Sequence, residues 1–299
     1  MMKWKIEVGR GFGIGIGLMS FVTLVNAVLI GVAASRPISL ATFVVALTVV
    51  FGFLLAGLIA YWVYGLTNAR YLLDRNALVI AWGTSKQVIP TGHIERVFTG
   101  DEIEGRLHFY GGRWPGHWVG YGELPGGKQA LFYATQPPQQ QVFIVTPGLV
   151  YGISPAEQVA FLESLRKRLE MGPTQAMEQS SRRPPILDWT IWRDPLGLSL
   201  LGAATAGLVL LLGVLTVRYP TLPMLIPLHF GASGSPDRLG PRVAIFLVPM
   251  IGLLTLLTNG ALGALSYRHN RLVSYMLWGS SVLVQVLIWT ATFGILSHI

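Results

Sequence analysis

Five runs of apolar residues constrain this chain more than any other feature. They lie at about Phe12 to Ala34, Leu40 to Leu66, Leu196 to Val217, Val243 to Leu265 and Leu272 to Leu296. Each exceeds the ~20 residues that cross the hydrocarbon core of a bilayer. Composition agrees: 52% of residues are hydrophobic and 12% charged, against roughly 25% charged in soluble domains. The expected fold class is a membrane all-α bundle of five transmembrane helices with a β-rich domain inserted between the second and third. The expected divisions are 1–67 for two helices, 68–171 for the insert, 172–194 for a linker and 195–299 for three helices. For the first run a signal peptide competes, because Val32-Ala33-Ala34 before Ser35 fits a cleavage site. The run is long for that role and contains Asn26, so a retained anchor is expected.

The remaining composition excludes several function classes. The chain has no Cys, which removes disulfides, thiolate metal sites and thiol catalysis. Its six His are scattered without an H-E-x-x-H pattern, so neither a metal nor a cofactor is expected. The net charge of +8 fits basic residues that flank helices and meet anionic lipid. No basic stripe with interleaved aromatics points to nucleic acid. Gly13-x-x-x-Gly17 reads as a close-packing helix face. Pro249 is expected to kink the fourth span. Asn259 and Gln285 within spans read as interhelical hydrogen-bonding residues.

Residues 68–171 differ in kind. Short strand-like runs alternate with turns: Tyr71–Leu73, Ala77–Trp82, Gln87–Pro90, Ile94–Phe98, Ala130–Tyr133, Val142–Val145 and Leu149–Ile153. A helix follows, with Ser154 as its cap, Pro155 in its first position and Glu157 completing a capping box. Its apolar face is Val159, Phe161, Leu162, Leu165 and Leu169. Between the strands, Trp114, Trp118 and Tyr121 sit among glycines in an aromatic loop. That loop suits a membrane interface, the mouth of a barrel or a partner. Trp189 and Trp192 read as interfacial anchors before the third span.

The pattern Y-L-L-D-R-N-A-L-V-I-A-W-G, the later V-I-P-x-x-x-I-E-R-V, the middle H-F-Y-G-G-R-W-P-G-H-W-V-G-Y-G-E and the ending V-F-I-V-T-P…Y-G-I-S-P-A-E resemble the bacterial pleckstrin-homology-like domains. The resemblance implies a pleckstrin-homology-like β-barrel capped by one C-terminal helix. It also implies binding of headgroups or protein segments rather than catalysis. Headgroup binding needs several converging Lys or Arg, and the early loop offers little beyond Lys86.

The stretch from Arg218 to Arg242 is too polar and too broken by Pro and Gly to cross a bilayer, so it must join two spans as a surface loop. Its pattern Y-P-x-L-P-x-x-I-P-x-H-F-x-x-x-G-x-P-D-x-x-G resembles a loop of a widespread bacterial membrane domain of unknown function. That domain also opens toxin-immunity and signal-receptor proteins of Gram-positive bacteria. Pro227, His229, Phe230, Gly234 and Asp237 are the candidate partner- or ligand-binding residues. His229 and Asp237 could equally hydrogen-bond and pin the loop down. Ser233 and Ser235 are near, but no G-x-S-x-G elbow is present, so no catalytic residue is named.

Lys3, Lys5, Arg10, Arg70, Arg75, Arg182, Arg183, Arg193, Arg268 and Arg271 fall on one side of the five spans. Arg36, Arg218, Arg238 and Arg242 fall on the other. The positive-inside rule places the first set in the cytoplasm. The expectation is a multi-pass protein of the bacterial plasma membrane. Its N-terminus and 68–194 are cytoplasmic, and 218–242 and the C-terminus are outside. The expected function is non-enzymatic: interaction, sensing or scaffolding that couples the outward loop to the inserted domain. Expected partners are the lipid bilayer and another membrane protein or peptide. An accessory subunit of a larger membrane complex is the alternative, and a transporter or toxin-immunity protein is a second.

Overall fold

Water and lipid select opposite surfaces, and the chain contains both kinds of structure. The computed structural model describes residues 2–182, 190–230 and 236–299, with the backbone alone at 228–230 and 237. It divides into two units, Met1–Ala27 with Phe51–Asp188 and Val28–Val50 with Trp189–Ile299.

The first unit opens with a short strand, β1 (Met2–Trp4), before helix α1 (Gly9–Ala34); α2 (Leu40–Thr67) brings the chain back. The strands β2 (Arg70–Leu73), β3 (Ala77–Trp82), β4 (Ser85–Pro90), β5 (Arg96–Thr99), β6 (His108–Trp114), β7 (His117–Glu123), β8 (Gln129–Ala134), β9 (Val142–Val145) and β10 (Val150–Ile153) follow. Helix α3 (Gln158–Met171) and β11 (Ser180–Arg182) close the unit. The strands form two sheets, ordered β1-β2-β3-β4-β11 and β5-β9-β10-β8-β7-β6. All pairings are antiparallel except β8 with β10. No pairing joins the two sheets among the described residues, so the arrangement is two sheets over one core. That core takes Tyr71, Leu73, Leu78 and Ile80 from the first sheet, Tyr133, Ile144 and Tyr151 from the second, and Phe161 and Leu165 from α3. Each such side chain contributes roughly 1.5–3 kcal/mol by leaving water.

Several sequence expectations change here. The aromatic loop is a β-hairpin. β6 and β7 pair from His108↔Glu123 to Trp114↔His117 around Pro115-Gly116, where Gly116 takes a φ of 88° that suits glycine. The α3 cap is also different. Ser154 is buried and its hydroxyl accepts from Thr135 N at 2.7 Å, so it is unavailable to cap. The helix starts at Gln158 with no side-chain cap from Glu157, and Val159 points to solvent. The segment expected to begin the linker is held to the sheet. β11 pairs with β4, Asn76 Oδ1 accepts from Thr174 N at 2.7 Å, and Arg75 Nε donates to Gly172 O at 3.0 Å.

The close-packing glycines of α1 are Gly11 and Gly15 rather than Gly13 and Gly17. A Cβ on Gly11 would strike the Gly116 backbone and one on Gly15 would strike Val63, whereas Gly13 and Gly17 meet nothing.

In the second unit, α4 (Pro195–Arg218), α5 (Leu247–Ser266) and α6 (Arg271–Ser297) pack together, and a hairpin of β12 (Leu225–Phe230) and β13 (Pro236–Pro241) joins α4 to α5. The five long helices are each apolar enough to cross a membrane. Pro249 lies in the first turn of α5, directly after a 3₁₀ stretch, Arg242–Phe246. It starts the α-helix there and does not break one, because the amides of a first turn lack intrahelical partners anyway. Asn259 donates to Ser280 Oγ at 3.0 Å and Gln285 to Gly252 O at 3.3 Å, which are interhelical bonds as expected.

Candidate functional site

The described cavity with the most distinctive chemistry lies where the end of α2 meets the β6–β7–β8 sheet. Cross-strand pairing puts Tyr110, Gly112, Trp114, His117, Val119 and Tyr121 on one face of the hairpin. The last turns of α2 lie over that face. Trp62 stands 5.5 Å from Trp114 and 6.0 Å from His117, ring centre to ring centre. Gly112 lets it do so, since a Cβ there would come within 2.9 Å of the Trp62 ring. A cleft of about 550 Å³ remains, bounded by Leu58, Tyr61 and Gly65 of α2, the Gly83 turn, and Val119 and Tyr121 of the hairpin. That volume suits a small ligand or a chain segment.

His117 was not singled out from the sequence, and it is the most unusual group here. Its imidazole is fully buried, stacks on Trp114 at 4.1 Å and lies 6.1 Å from Trp82. Among the described residues neither ring nitrogen has a hydrogen-bond partner. Burial pushes its pKa down to about 4, so it is a neutral aromatic ring at neutral pH. The Trp82 indole nitrogen is likewise buried without a partner. Only the β6–β7 alternation could have signalled this cluster, and its glycines hide that alternation.

The predicted aromatic residues separate. Trp114 turns inward, and its Nε1–H donates to Gly11 O at 3.0 Å, tying the hairpin to α1. Trp118 faces the opposite side and carries the Arg113 guanidinium over its ring at 5.4 Å. Tyr121 is exposed and stacks on Tyr110 at 5.4 Å. Trp192 is exposed just before α4, and Trp189 lies outside the described residues. A wider hollow of about 960 Å³ beside Trp118 holds Arg10 and Arg113 near the start of α1.

In the second unit, β12 and β13 bring Pro227 opposite Leu239 and His229 opposite Arg238. Pro227 is buried, and Ile226 joins Leu211, Leu215 and Ile245 in the core below. Arg242 lies over the Tyr219 ring at 4.8 Å and donates to Leu222 O at 3.4 Å, closing the base of the hairpin. The side chains of His229, Phe230 and Asp237, and Gly234 as a whole, lie outside the described residues.

At the start of α4, Asp194 accepts from Leu196 N and Gly197 N and from the hydroxyls of Tyr267 and Tyr275, the last two at 2.8 Å. Burial works against its ionisation, but these four donors outweigh it and hold the carboxyl below its usual range. The same burial and the adjacent carboxylate push Tyr267 up to about 12. This clasp fastens the start of α4 to the α5–α6 turn.

Residues 69–169 match the family model of the bacterial PH domain. Residues 206–253 match that of a domain of unknown function, DUF1648. This membrane protein joins a bacterial PH domain to a DUF1648 segment. The PH match runs from the residue before β2 into α3, so β1 and β11 are edge additions beyond it. The DUF1648 match takes in the second half of α4, the β12–β13 hairpin and the start of α5, including every candidate residue of the loop. No curated protein and no solved structure matches the chain.

Proposed function

We propose that this chain is a non-enzymatic adaptor of the bacterial plasma membrane, in which the PH domain reports on the state of membrane helices. One observation carries this reading: the helices are built into the domain without a spacer. Leu66 of α2 and Trp4 before α1 belong to the same buried core as Tyr71 and Phe161, and Trp114 holds the Gly11 carbonyl. A tilt of α1 or α2 therefore moves the domain as a body, since packed cores transmit displacement and do not absorb it. The DUF1648 hairpin, carrying Pro227, His229, Phe230, Gly234 and Asp237, is the outward contact for another membrane protein or a peptide. The distribution of positive residues supports an orientation with the N-terminus, the PH domain and Arg193 in the cytoplasm and the hairpin and C-terminus outside.

A second reading, an accessory subunit of a larger complex, draws on the bare apolar surface of Phe21, Leu24, Phe51 and Leu54. Asn259 and Gln285 are engaged in helix–helix bonds, which speaks against a transport path through them.

Two measurements test the proposal. Because the chain has no Cys, single-cysteine variants report sidedness cleanly. Met224→Cys should react with an impermeant maleimide on intact cells, and Gln175→Cys only after lysis; the reverse pattern overturns the orientation. A stoichiometric partner identified by mass spectrometry after gentle solubilisation should be lost in His229→Ala/Asp237→Ala. Retention of that partner by the double variant removes the hairpin as its contact.

A further inference from the structure

The cleft at the end of α2 is walled by glycines, aromatic rings and aliphatic side chains. Gly65, Gly83, Gly111, Gly112 and Gly120 all border it, and none of its lining residues is charged. The unpaired nitrogens of Trp82 and His117 are sealed beneath its surface, so the walls present hydrocarbon and aromatic carbon. The polar residues in the lining are Ser85 and the tyrosines Tyr61, Tyr121 and Tyr133, and the Tyr61 hydroxyl lies 3.2 Å from Thr84 Oγ1. A site built this way recognises a hydrocarbon chain and not a headgroup or a peptide.

The position of the cleft names the source of that chain. Helix α2 has 28 residues, which makes it ~42 Å long at ~1.5 Å per residue. The hydrocarbon core is ~30 Å thick, so a centred α2 leaves about one turn beyond each face, and the polar Asn68 and Arg70 that follow it put its last turn at headgroup level. Phe51, Leu54, Leu55 and Leu58 are exposed along one side of α2, at the three- and four-residue spacing that makes one face. Leu58 also lines the cleft. The lipid-facing surface thus runs unbroken into it. Tyr61 and Tyr64, both exposed, stand where interfacial tyrosines favour the water boundary.

We infer that this cleft takes the acyl chain of a bilayer lipid, bent out of the adjacent leaflet and laid between α2 and the PH-domain sheet. The lipid then bridges helix and domain, and its chain length and order bear on how firmly the two are joined. This inference does not depend on the hairpin having a partner.

The test uses the full chain in phosphatidylethanolamine/phosphatidylglycerol bilayers doped with a phospholipid that carries a diazirine at the end of one acyl chain. After irradiation, adducts are mapped by mass spectrometry. We expect label on the β6–β7 hairpin and on residues 58–65, besides the lipid-exposed 51–55. Val119→Phe fills the cleft and should cut hairpin labelling at least about tenfold, the loss expected when two methylenes are displaced. Labelling of 51–55 should not change. Leu58→Trp, a change on the lipid face, serves if Val119→Phe melts below the wild type. Label confined to the spans in the wild type overturns the inference. So does hairpin label that survives in a well-folded filled variant. Hairpin labelling by a soluble diazirine fatty acid but not by the phospholipid also overturns it, since the chain would then come from solution.

Discussion

The PH domain and the α4–α5–α6 bundle use the same residue types in opposite places. In the domain, Phe132, Tyr71 and Leu78 are buried and charged residues face out. In the bundle, Leu210, Leu254, Leu257 and Leu283 are exposed, whereas Ser274, Ser281, Gln285 and Thr292 of α6 are inside with Gly252 and Gly263 of α5. Water drives apolar groups together in the first case. Lipid tails are as apolar as leucine, so the bundle must be held by close backbone approach and by polar contacts. The clasp of Asp194 by Tyr267 and Tyr275 belongs to the second kind, and the Trp114–His117–Trp62 stack to the first.

Phe132→Ala should show the largest effect, about 3–5 kcal/mol, seen as loss of amide-exchange protection through β5–β10. The bundle should keep its protection, and Leu254→Ala should cost nothing measurable. If both substitutions weaken both regions equally, the division by solvent is wrong.

Between pH ~6.5 and 4, acid should act next most strongly, and mainly on the domain, because the lowered carboxyl of Asp194 puts the bundle's own acid loss mostly below that window. The buried imidazole of His117 binds its proton with a pKa of about 4, and the unfolded chain does so near 6.5. Between those values the unfolded state holds more protons, so stability is full above pH ~6.5 and falls by up to ~1.4 kcal/mol per unit towards pH 4. His117→Phe should flatten the acid limb of the domain's melting curve. An unchanged limb would show that the ring is protonated or solvated in the fold.

Gly263→Leu probes close approach in the bundle. A Cβ there would lie 2.3 Å from the Trp278 indole nitrogen, and overpacking of this kind costs about 1–3 kcal/mol. The bundle's melting temperature should drop while the domain's does not. Gln285→Leu is the mildest change. Its bond to the Gly252 carbonyl should be worth only ~0.6 kcal/mol, and a loss of several times that would give the polar core of the bundle a larger role.

Much of this organisation was legible in the chain. The five spans follow from run length, and strands such as β3 and β9 from their β-branched and aromatic content. At the start of α4 the short acidic side chain of Asp194 accepts from Leu196 N and Gly197 N, and Pro195 follows it in the first turn, a pairing that local sequence alone favours. The β6–β7 hairpin was hidden because its glycines erase the alternation that marks a strand. Ser154 misled because its hydroxyl had two possible employers, a helix end and the end of β8. The candidate hairpin residues were legible as a pattern, and β12 pairs with β13 at Pro227, His229 and Phe230 among them.

Composition and periodicity therefore dictate where the chain crosses a bilayer and where a β domain interrupts it, because transfer from water depends on local content summed over a segment. Which glycines of α1 pack, what Trp114 holds and why His117 stays neutral depend on residues up to about a hundred positions apart in the chain. Those outcomes are set by which backbones come within a few ångströms of one another, and one residue's chemistry does not encode that distance. The cleft beside Trp62 has the same origin, because the α2 turns and the sheet that wall it become neighbours only when the domain closes on the helix.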